Sequence, residues 1–244
     1  MNLKNKTIVI VGASGGIGSS LAEKLYLQEA KLILVSKSQD KLTVLVKRFG
    51  ENCTYIRCDL TNKDQVEKTI KELKEKNADI SILINVAGVG IYKNIEDSNE
   101  EDWDNSFNIN VKGPFVFIRN LLPILKKTPN SVVLNIGSGA GTIPMKGRSI
   151  YCASKFALRG LILSLAEEYK DIAPKFCLIT LGSTITNFAG MSVEEKKREH
   201  AKGRAYFPVE WVSNKLVEII KDDNREVEIT LFPGDYGFGE WKKP

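Results

Sequence analysis

Short apolar runs alternate with amphipathic segments from one end of this chain to the other, and that alternation limits the fold more than any other feature. Runs at Thr7–Val11, Lys31–Ser36, Thr54–Cys58, Ile80–Asn85, Ser131–Ile136, Lys175–Leu181 and Val227–Phe232 read as strands. Several are apolar at consecutive positions, as expected for a parallel sheet covered on both faces. Apolar residues at helical spacing fill the intervals, at Ile17–Glu29, Gln39–Phe49, Asp64–Lys76, Trp103–Lys126, Ile150–Lys170 and Glu210–Lys221. Pro114 and Pro123 predict a bend in the long Trp103–Lys126 helix. No repeat, low-complexity linker or abrupt change of composition divides the 244 residues. Repeated βα units with right-handed crossovers predict one α/β domain, a doubly wound sheet of about seven mainly parallel strands with helices on both faces.

The first βα junction carries a glycine-rich turn, Gly12-Ala-Ser-Gly-Gly16-Ile-Gly18. Gly12 ends a strand and starts a tight turn. Gly16 and Gly18 lack side chains, so that backbone and helix can approach a pyrophosphate closely. The amides and dipole of the following helix then face negative charge. A strand before the turn and a helix after it are the context a dinucleotide site requires. The expectation is a Rossmann-type domain that binds a nicotinamide dinucleotide.

The end of the second strand selects between the two forms of that cofactor. An acid there suits the ribose 2′-hydroxyl of NAD, and a base suits the 2′-phosphate of NADP. The chain reads Leu34-Val-Ser36-Lys37-Ser38, with no carboxylate before Asp40. Lys37 offers a point charge, and Ser36 and Ser38 offer hydroxyl donors. The expected cofactor is NADP(H), with NAD(H) as the alternative.

Tyr151 and Lys155 are four residues apart on a predicted helix, and Ser138 lies thirteen residues before the tyrosine. A phenol has a reference pKa of about 10, and a cation one helical turn away favours its ionised form. Such a pair on an isolated helix is commonly a surface contact, and a serine after a glycine-rich strand end is commonly a turn residue. Their occurrence together with the glycine turn points instead to proton transfer at a carbonyl or alcohol.

Taken together, these residues resemble the short-chain dehydrogenase/reductase family, over most of the chain. The family's Thr-Gly-x-x-x-Gly-x-Gly turn appears as Val11-Gly12-Ala-Ser-Gly-Gly16-Ile-Gly18, and its Asn-Asn-Ala-Gly strand end as Asn85-Val86-Ala87-Gly88. Its Tyr-x-x-x-Lys pair matches Tyr151 and Lys155, its catalytic serine Ser138, and its catalytic asparagine Asn110. The acid that contacts adenine matches Asp59, beside Leu60, and the Pro-Gly-x-x-x-Thr loop appears as Leu181-Gly182-Ser-Thr184-Ile-Thr186. The resemblance implies a catalytic set of Asn110, Ser138, Tyr151 and Lys155. It implies cofactor contacts from Gly12, Ser14, Gly16, Ile17, Gly18, Lys37, Asp59, Leu60, Asn85, Ala87, Gly88, Thr184 and Thr186, and from Tyr151 and Lys155 themselves.

The implied mechanism is hydride exchange between NADP(H) and a carbonyl or alcohol. Tyr151 serves as acid or base, Ser138 hydrogen-bonds the same substrate oxygen, and Lys155 lowers the tyrosine pKa and holds the nicotinamide ribose. Asn110 anchors a water that links Lys155 to solvent. Val11, Val86 and Leu181 depart from the pattern without removing a chemically active group. The chain also continues as Leu231-Phe-Pro-Gly-Asp235, where acyl-carrier-protein reductases of the family usually carry Val-Asp-Gly-Gly. A protein of the same fold that senses NADP without turnover is the second reading, and the intact proton relay argues against it.

Composition narrows the partners. Net charge is +5 with lysines and glutamates interspersed, so no basic run with interleaved aromatics suggests nucleic acid. Met1–Lys6 lacks the apolar stretch of a signal peptide, and no run of about 18 apolar residues is evident, so a cytoplasmic location without a membrane span is expected. Cys53, Cys58, Cys152 and Cys177 form no Cys-x-x-Cys pair and His200 is the sole histidine, so no metal site is expected. The expected substrate walls are Val89–Tyr92, Gly139–Met145 and a lid at Asn187–Phe207, which mix apolar residues with tyrosines and solvated lysines. Val193–His200 reads as a solvated helical face. The Ile150–Lys170 helix carries Phe156, Leu158, Leu161, Ile162 and Leu165, a broad apolar surface that predicts a homodimer or homotetramer.

Overall fold

The computed structural model describes residues 1–240. Seven strands form one sheet: β1 (Thr7–Val11), β2 (Lys31–Ser36), β3 (Cys53–Arg57), β4 (Ile82–Asn85), β5 (Val132–Ile136), β6 (Lys175–Leu181) and β7 (Glu228–Leu231). Their order is β3-β2-β1-β4-β5-β6-β7, and all six pairings are parallel. The helices are α1 (Gly16–Tyr26), α2 (Gln39–Phe49), α3 (Lys63–Lys76), α4 (Glu100–Phe107), α5 (Gly113–Lys127), α6 (Ser149–Glu168), α7 (Val193–Ala201) and α8 (Val209–Lys221).

Strand alternation sorts the core into two layers. Ile8, Ile10, Leu32 and Leu34 face Leu21 and Leu25 of α1 and Val212, Leu216 and Ile220 of α8. Val9, Val11, Ile33 and Val35 face Val66, Ile70 and Leu73 of α3, Phe117 and Leu121 of α5, and Leu158 and Ile162 of α6. Each central strand is thus apolar on both sides, which is why period-two alternation of polarity is missing from its sequence. The winding direction reverses between β1 and β4, and the carboxyl ends of the strands there open a crevice.

Four sequence expectations change. The single Trp103–Lys126 helix is two helices, α4 and α5, joined by a π-helical turn at Asn108–Lys112. The break is centred on Asn110, not on either proline, and Pro123 is accommodated inside α5. A capping box between Asn99 and Asp102 starts α4, three residues before the expected position. The first helix ends at Tyr26, because Glu29 takes a left-handed conformation (φ 59°). Finally, α6 is long and apolar enough by composition to span a membrane. Here it lies against the sheet through Leu158 and Ile162, with Leu161 and Leu165 partly packed, so Phe156 alone of the five is exposed.

One ion pair ties α6 to the sheet edge. Arg159 donates from Nε and Nη2 to the two oxygens of Glu228 on β7, at 2.9 and 2.7 Å, and Thr180 of β6 donates to Glu228 Oε1 at 2.8 Å. The Arg159 bonds, aided by Thr180, hold the Glu228 carboxyl below its ordinary value despite opposing burial. This carboxylate therefore stabilises the fold fully above its unfolded pKa, and the contribution disappears as pH falls through the lower folded value. Glu228→Gln is expected to lower the unfolding free energy at neutral pH by about 1 kcal/mol, since Arg159 is partly exposed and solvent screens the pair. Urea titrations of both proteins should show this deficit shrinking once the pH falls below about 4.

Candidate active site

Most segments singled out in the sequence follow the carboxyl end of a strand; Asn110 and the Tyr151–Lys155 pair lie on helical segments instead. The glycine turn follows β1, Lys37 follows β2, Asp59 follows β3, Ala87 and Gly88 follow β4, Ser138 follows β5, and Gly182–Thr186 follow β6. They border a cleft of about 1280 Å³, which Ser138 adjoins through its neighbours Ile136 and Gly137. Its walls include Gly12, Ser14, Gly16, Ile17, Gly18, Lys37, Asp59, Leu60, Ala87, Gly88, Tyr151, Lys155, Thr184 and Thr186. Asn85 is the exception among the expected cofactor contacts. It is buried in the sheet, where its Nδ2 donates to Asn135 Oδ1 at 2.8 Å, and it does not line the cleft. That bond leaves Asn85 Oδ1 and Asn135 Nδ2 without partners, a cost accepted at the strand ends.

The glycines are demanded by the protein's own packing. Gly12 has φ +99°, and a Cβ on it would lie 2.4 Å from Ala87 N. A Cβ on Gly16 would lie 2.6 Å from Thr186 Cγ2. The turn therefore sits directly against two other cleft segments, and the room expected for a pyrophosphate is made jointly with Thr186 and Ala87.

At the outer end of the cleft, Asp59 Oδ1 accepts from the amide and hydroxyl of Thr61 at 3.0 and 2.8 Å. Its other oxygen pairs with Lys37 Nζ at 3.2 Å. Partial burial alone would raise the Asp59 pKa, but these bonds outweigh it and hold the carboxyl below its ordinary value. Ser14 and Ser36 meet through their hydroxyls at 2.6 Å beside this pair. Lys41 of α2 lines the same wall; sequence reasoning passed over it because its spacing marks only an exposed helical face.

At the inner end, Tyr151 and Lys155 occupy the first two turns of α6 and are almost fully buried. Lys155 Nζ donates to Ile136 O, the last residue of β5, at 3.0 Å, and lies 5.9 Å from the centre of the Tyr151 ring. Burial lowers the Lys155 pKa to about 8. Burial also pushes the Tyr151 phenol well above its ordinary value, as does the neighbouring Tyr92 phenol, while a hydrogen bond with Ser138 and the charge of Arg148 pull it down. The expected lowering by Lys155 is therefore overturned: desolvation dominates, and the ammonium is directed at a carbonyl. Ser138 itself is held by a bond from Ala140 N to its hydroxyl at 3.1 Å.

Asn110 sits in the π-helical turn with no exposed surface. Its Oδ1 accepts from Val89 N, and its Nδ2 donates to Val89 O, both at 2.9 Å, and to Ser154 Oγ at 2.9 Å. The side chain thus clamps the segment after β4 onto α6, with both amide hydrogens engaged and one acceptor site of Oδ1 left open. Ser154, which the sequence reading missed, is the other half of this clamp. Its only signal was its place between Tyr151 and Lys155.

The lid also differs from expectation. Lys196 is buried on α7 and directs its ammonium at Phe188 O and Thr184 O, at 3.2 and 3.4 Å. Burial lowers its pKa to about 8. Only part of the Val193–His200 face is therefore solvated, and His200 Nδ1 lies 3.1 Å from Arg204 O. Phe207 was expected in the substrate wall, but it is fully buried and stacks on Trp211 with ring centres 4.4 Å apart. Met145 and Phe188 do reach the inner site, packing on Ala140, Tyr151 and Cys152. All four cysteines are buried free thiols, and burial raises the pKa of Cys53 and Cys177 to about 12.

Comparison with known proteins agrees with this arrangement. A family model described as short chain dehydrogenase matches residues 6–197. An uncharacterized oxidoreductase of Thermotoga maritima is 36% identical over 187 residues, covering 75% of this chain and 74% of that protein. An NAD-dependent glycerol dehydrogenase of Listeria innocua is 30% identical over 216 residues, covering 86% and 84%. Among solved structures, an alcohol dehydrogenase of Thermococcus sibiricus complexed with 5-hydroxy-NADP has a TM-score of 0.84 at 24% identity, covering 94% of this chain and 97% of that one. With the parallel sheet, the cleft at its switch point and these matches in hand, the chain belongs to the short-chain dehydrogenase family of NAD(P)-dependent oxidoreductases.

Proposed function

We propose that this protein is an NADP(H)-dependent carbonyl reductase, with Tyr151 as the proton donor. The observation that carries this reading is the burial of Tyr151 and Lys155 at the inner end of a dinucleotide-sized cleft, with the half-buried Ser138 hydrogen-bonded to the Tyr151 phenol. The donor set fits the cofactor: a glycine turn at the start of α1 for the phosphates, Asp59 and Leu60 for the adenine end, and Thr184 and Thr186 for the nicotinamide end. Bound, the cofactor supplies the hydride.

The chain's own residues supply the rest. A phenol is protonated at neutral pH, and burial further disfavours its ionised form, so Tyr151 enters the reaction as an acid. As a carbonyl carbon receives hydride, Tyr151 gives its proton to the developing alkoxide, and Ser138 hydrogen-bonds the same oxygen. Such a positioned acid contributes about 10²–10⁴-fold in rate. Lys155 binds the nicotinamide ribose and presents positive charge behind the phenol. Asn110 and Ser154 act as a brace that fixes the Val89 segment against α6.

Cofactor preference rests on the outer end of the cleft. Lys37 is mostly exposed and free to swing from Asp59 to a 2′-phosphate, and the Ser14 and Ser36 hydroxyls lie alongside. We further infer a homo-oligomer. Trp103 on α4, Phe115 on α5 and Phe156 on α6 each expose more than two fifths of their surface, although α6 offers a narrower apolar face than its sequence suggests.

Three outcomes are expected. Wild-type protein should bind NADPH more tightly than NADH, and Lys37→Ala should reduce that ratio by about tenfold, as measured by fluorescence titration of both cofactors. Equal affinities, or an unchanged ratio, would count against NADP. Tyr151→Phe should cost at least about 10²-fold in kcat with NADPH affinity nearly intact, while Lys155→Ala should damage both; near wild-type turnover by the phenylalanine variant would move the proton donor elsewhere. Light scattering at micromolar concentration should give a mass at least twice 27.2 kDa.

A further inference from the structure

The Arg148 side chain stands on the substrate side of Tyr151 with almost nothing to bind. Arg148 is the residue immediately before α6. Its guanidinium carbon lies 4.1 Å from the centre of the Tyr92 ring, and that ring meets the Tyr151 ring edge-on at 5.6 Å. Nη1 reaches Met145 Sδ at 3.4 Å, a weak acceptor. No described carboxylate pairs with it, whereas Lys37 pairs with Asp59, Arg48 with Glu23 and Lys93 with Asp102. A guanidinium carries five donors, and here they face a ring and a thioether. The side chain is half-buried and held by stacking, so its position is set before any ligand arrives. Its charge reaches the reacting group, since it pulls down the pKa of both Tyr92 and Tyr151.

We propose that Arg148 is a specificity-determining residue that binds a carboxylate, and that the substrates are small oxo acids, or the matching hydroxy acids in reverse. This rests on the reading of Tyr151 as proton donor. The carbonyl oxygen lies on Tyr151 and Ser138, and the carboxylate pairs with the guanidinium one aromatic ring away, flanked by Tyr92 and Met145. Hydride adds to the carbonyl carbon, the phenol proton goes to its oxygen, and the carboxylate emerges unchanged. A carboxylate is favoured over a phosphate because one cation matches a monoanion, and because the parallel donors of arginine suit the two oxygens of a carboxylate. Tyr92 then has a purpose beyond packing: it fixes the plane of the guanidinium and keeps the acid at a set distance from the phenol.

The test uses the full chain with NADPH and matched pairs of 2-oxo and 3-oxo acids and their methyl esters. In the wild type, kcat/KM for the acid should exceed that for its ester by at least about tenfold. Arg148→Met should lower this ratio at least about tenfold, chiefly through KM for the acid, and Arg148→Lys should restore part of it. If Arg148 were only a packing residue, its replacement would move the melting temperature and leave the ratio untouched. A wild type that reduces esters as well as acids overturns the carboxylate assignment alone. Reduction of phosphorylated carbonyl compounds in preference to oxo acids overturns it likewise. Failure to reduce any carbonyl compound, with NADPH bound, overturns the reductase reading together with it. The wild-type comparison needs no variant to fold, and the KM for the acid, unlike that for the ester, should rise with ionic strength.

Discussion

The site depends on one buried cation. Lys155 is almost fully enclosed, and its ammonium is held by the carbonyl of Ile136 at the end of β5. Burying a charge without a partner is costly, and here the compensation is a dipole rather than a carboxylate. That choice has a structural consequence. The bond fixes the second turn of α6 against the end of the central sheet, so Tyr151, one turn earlier, is fixed as well. A carboxylate in the same place would neutralise the charge the cofactor ribose and the phenol both require. The carbonyl satisfies one donor of the ammonium and leaves the charge in force, at the cost of a pKa lowered to about 8.

The same burial explains why two adjacent groups move in opposite directions. Desolvation disfavours whichever form is charged. It therefore lowers Lys155 and raises Tyr151, and the ammonium, 5.9 Å from the ring centre and bonded to Ile136 O, does not reverse either shift. Proton transfer from the phenol is thus favoured only as negative charge develops on the substrate oxygen. In the mechanism proposed above, this is catalysis by differential stabilisation, with the acid held in reserve until the transition state demands it.

Much of this was legible in the chain, and the limits of legibility have physical causes. Strand positions could be read because the central strands are apolar at most positions on both faces, and the glycine turn because only glycine tolerates φ +99° against Ala87 at Gly12. The ends of elements were less visible. The α4–α5 break is marked in the sequence only by Gly113 and Pro114, which open α5; its position also reflects the hydrogen bonds that Asn110 makes to a segment twenty-one residues earlier. Lys196 was misread because its neighbours on α7 are charged, and only the tertiary approach of Thr184 and Phe188 gives one lysine of that run a buried home. Spacing along α6 puts Lys155 near Tyr151, but spacing reports proximity and not which partner the charge selects.

Arg148 and Lys196 illustrate how the two kinds of buried or half-buried cation differ in meaning. Lys196 has its donors answered by two carbonyls, so its charge is used in holding α7 to the loop that borders the cleft. Arg148 stands over the Tyr92 ring, and its one described acceptor is the weak thioether of Met145. A structural role explains the first completely. It explains only the stacking of the second, because an arginine placed for packing alone gains by pairing with an acid, and none of the described acids does so. Fixed orientation combined with unused hydrogen-bonding capacity is the condition for recognition rather than for stability, since a ligand that meets such a group need not first displace a partner from it.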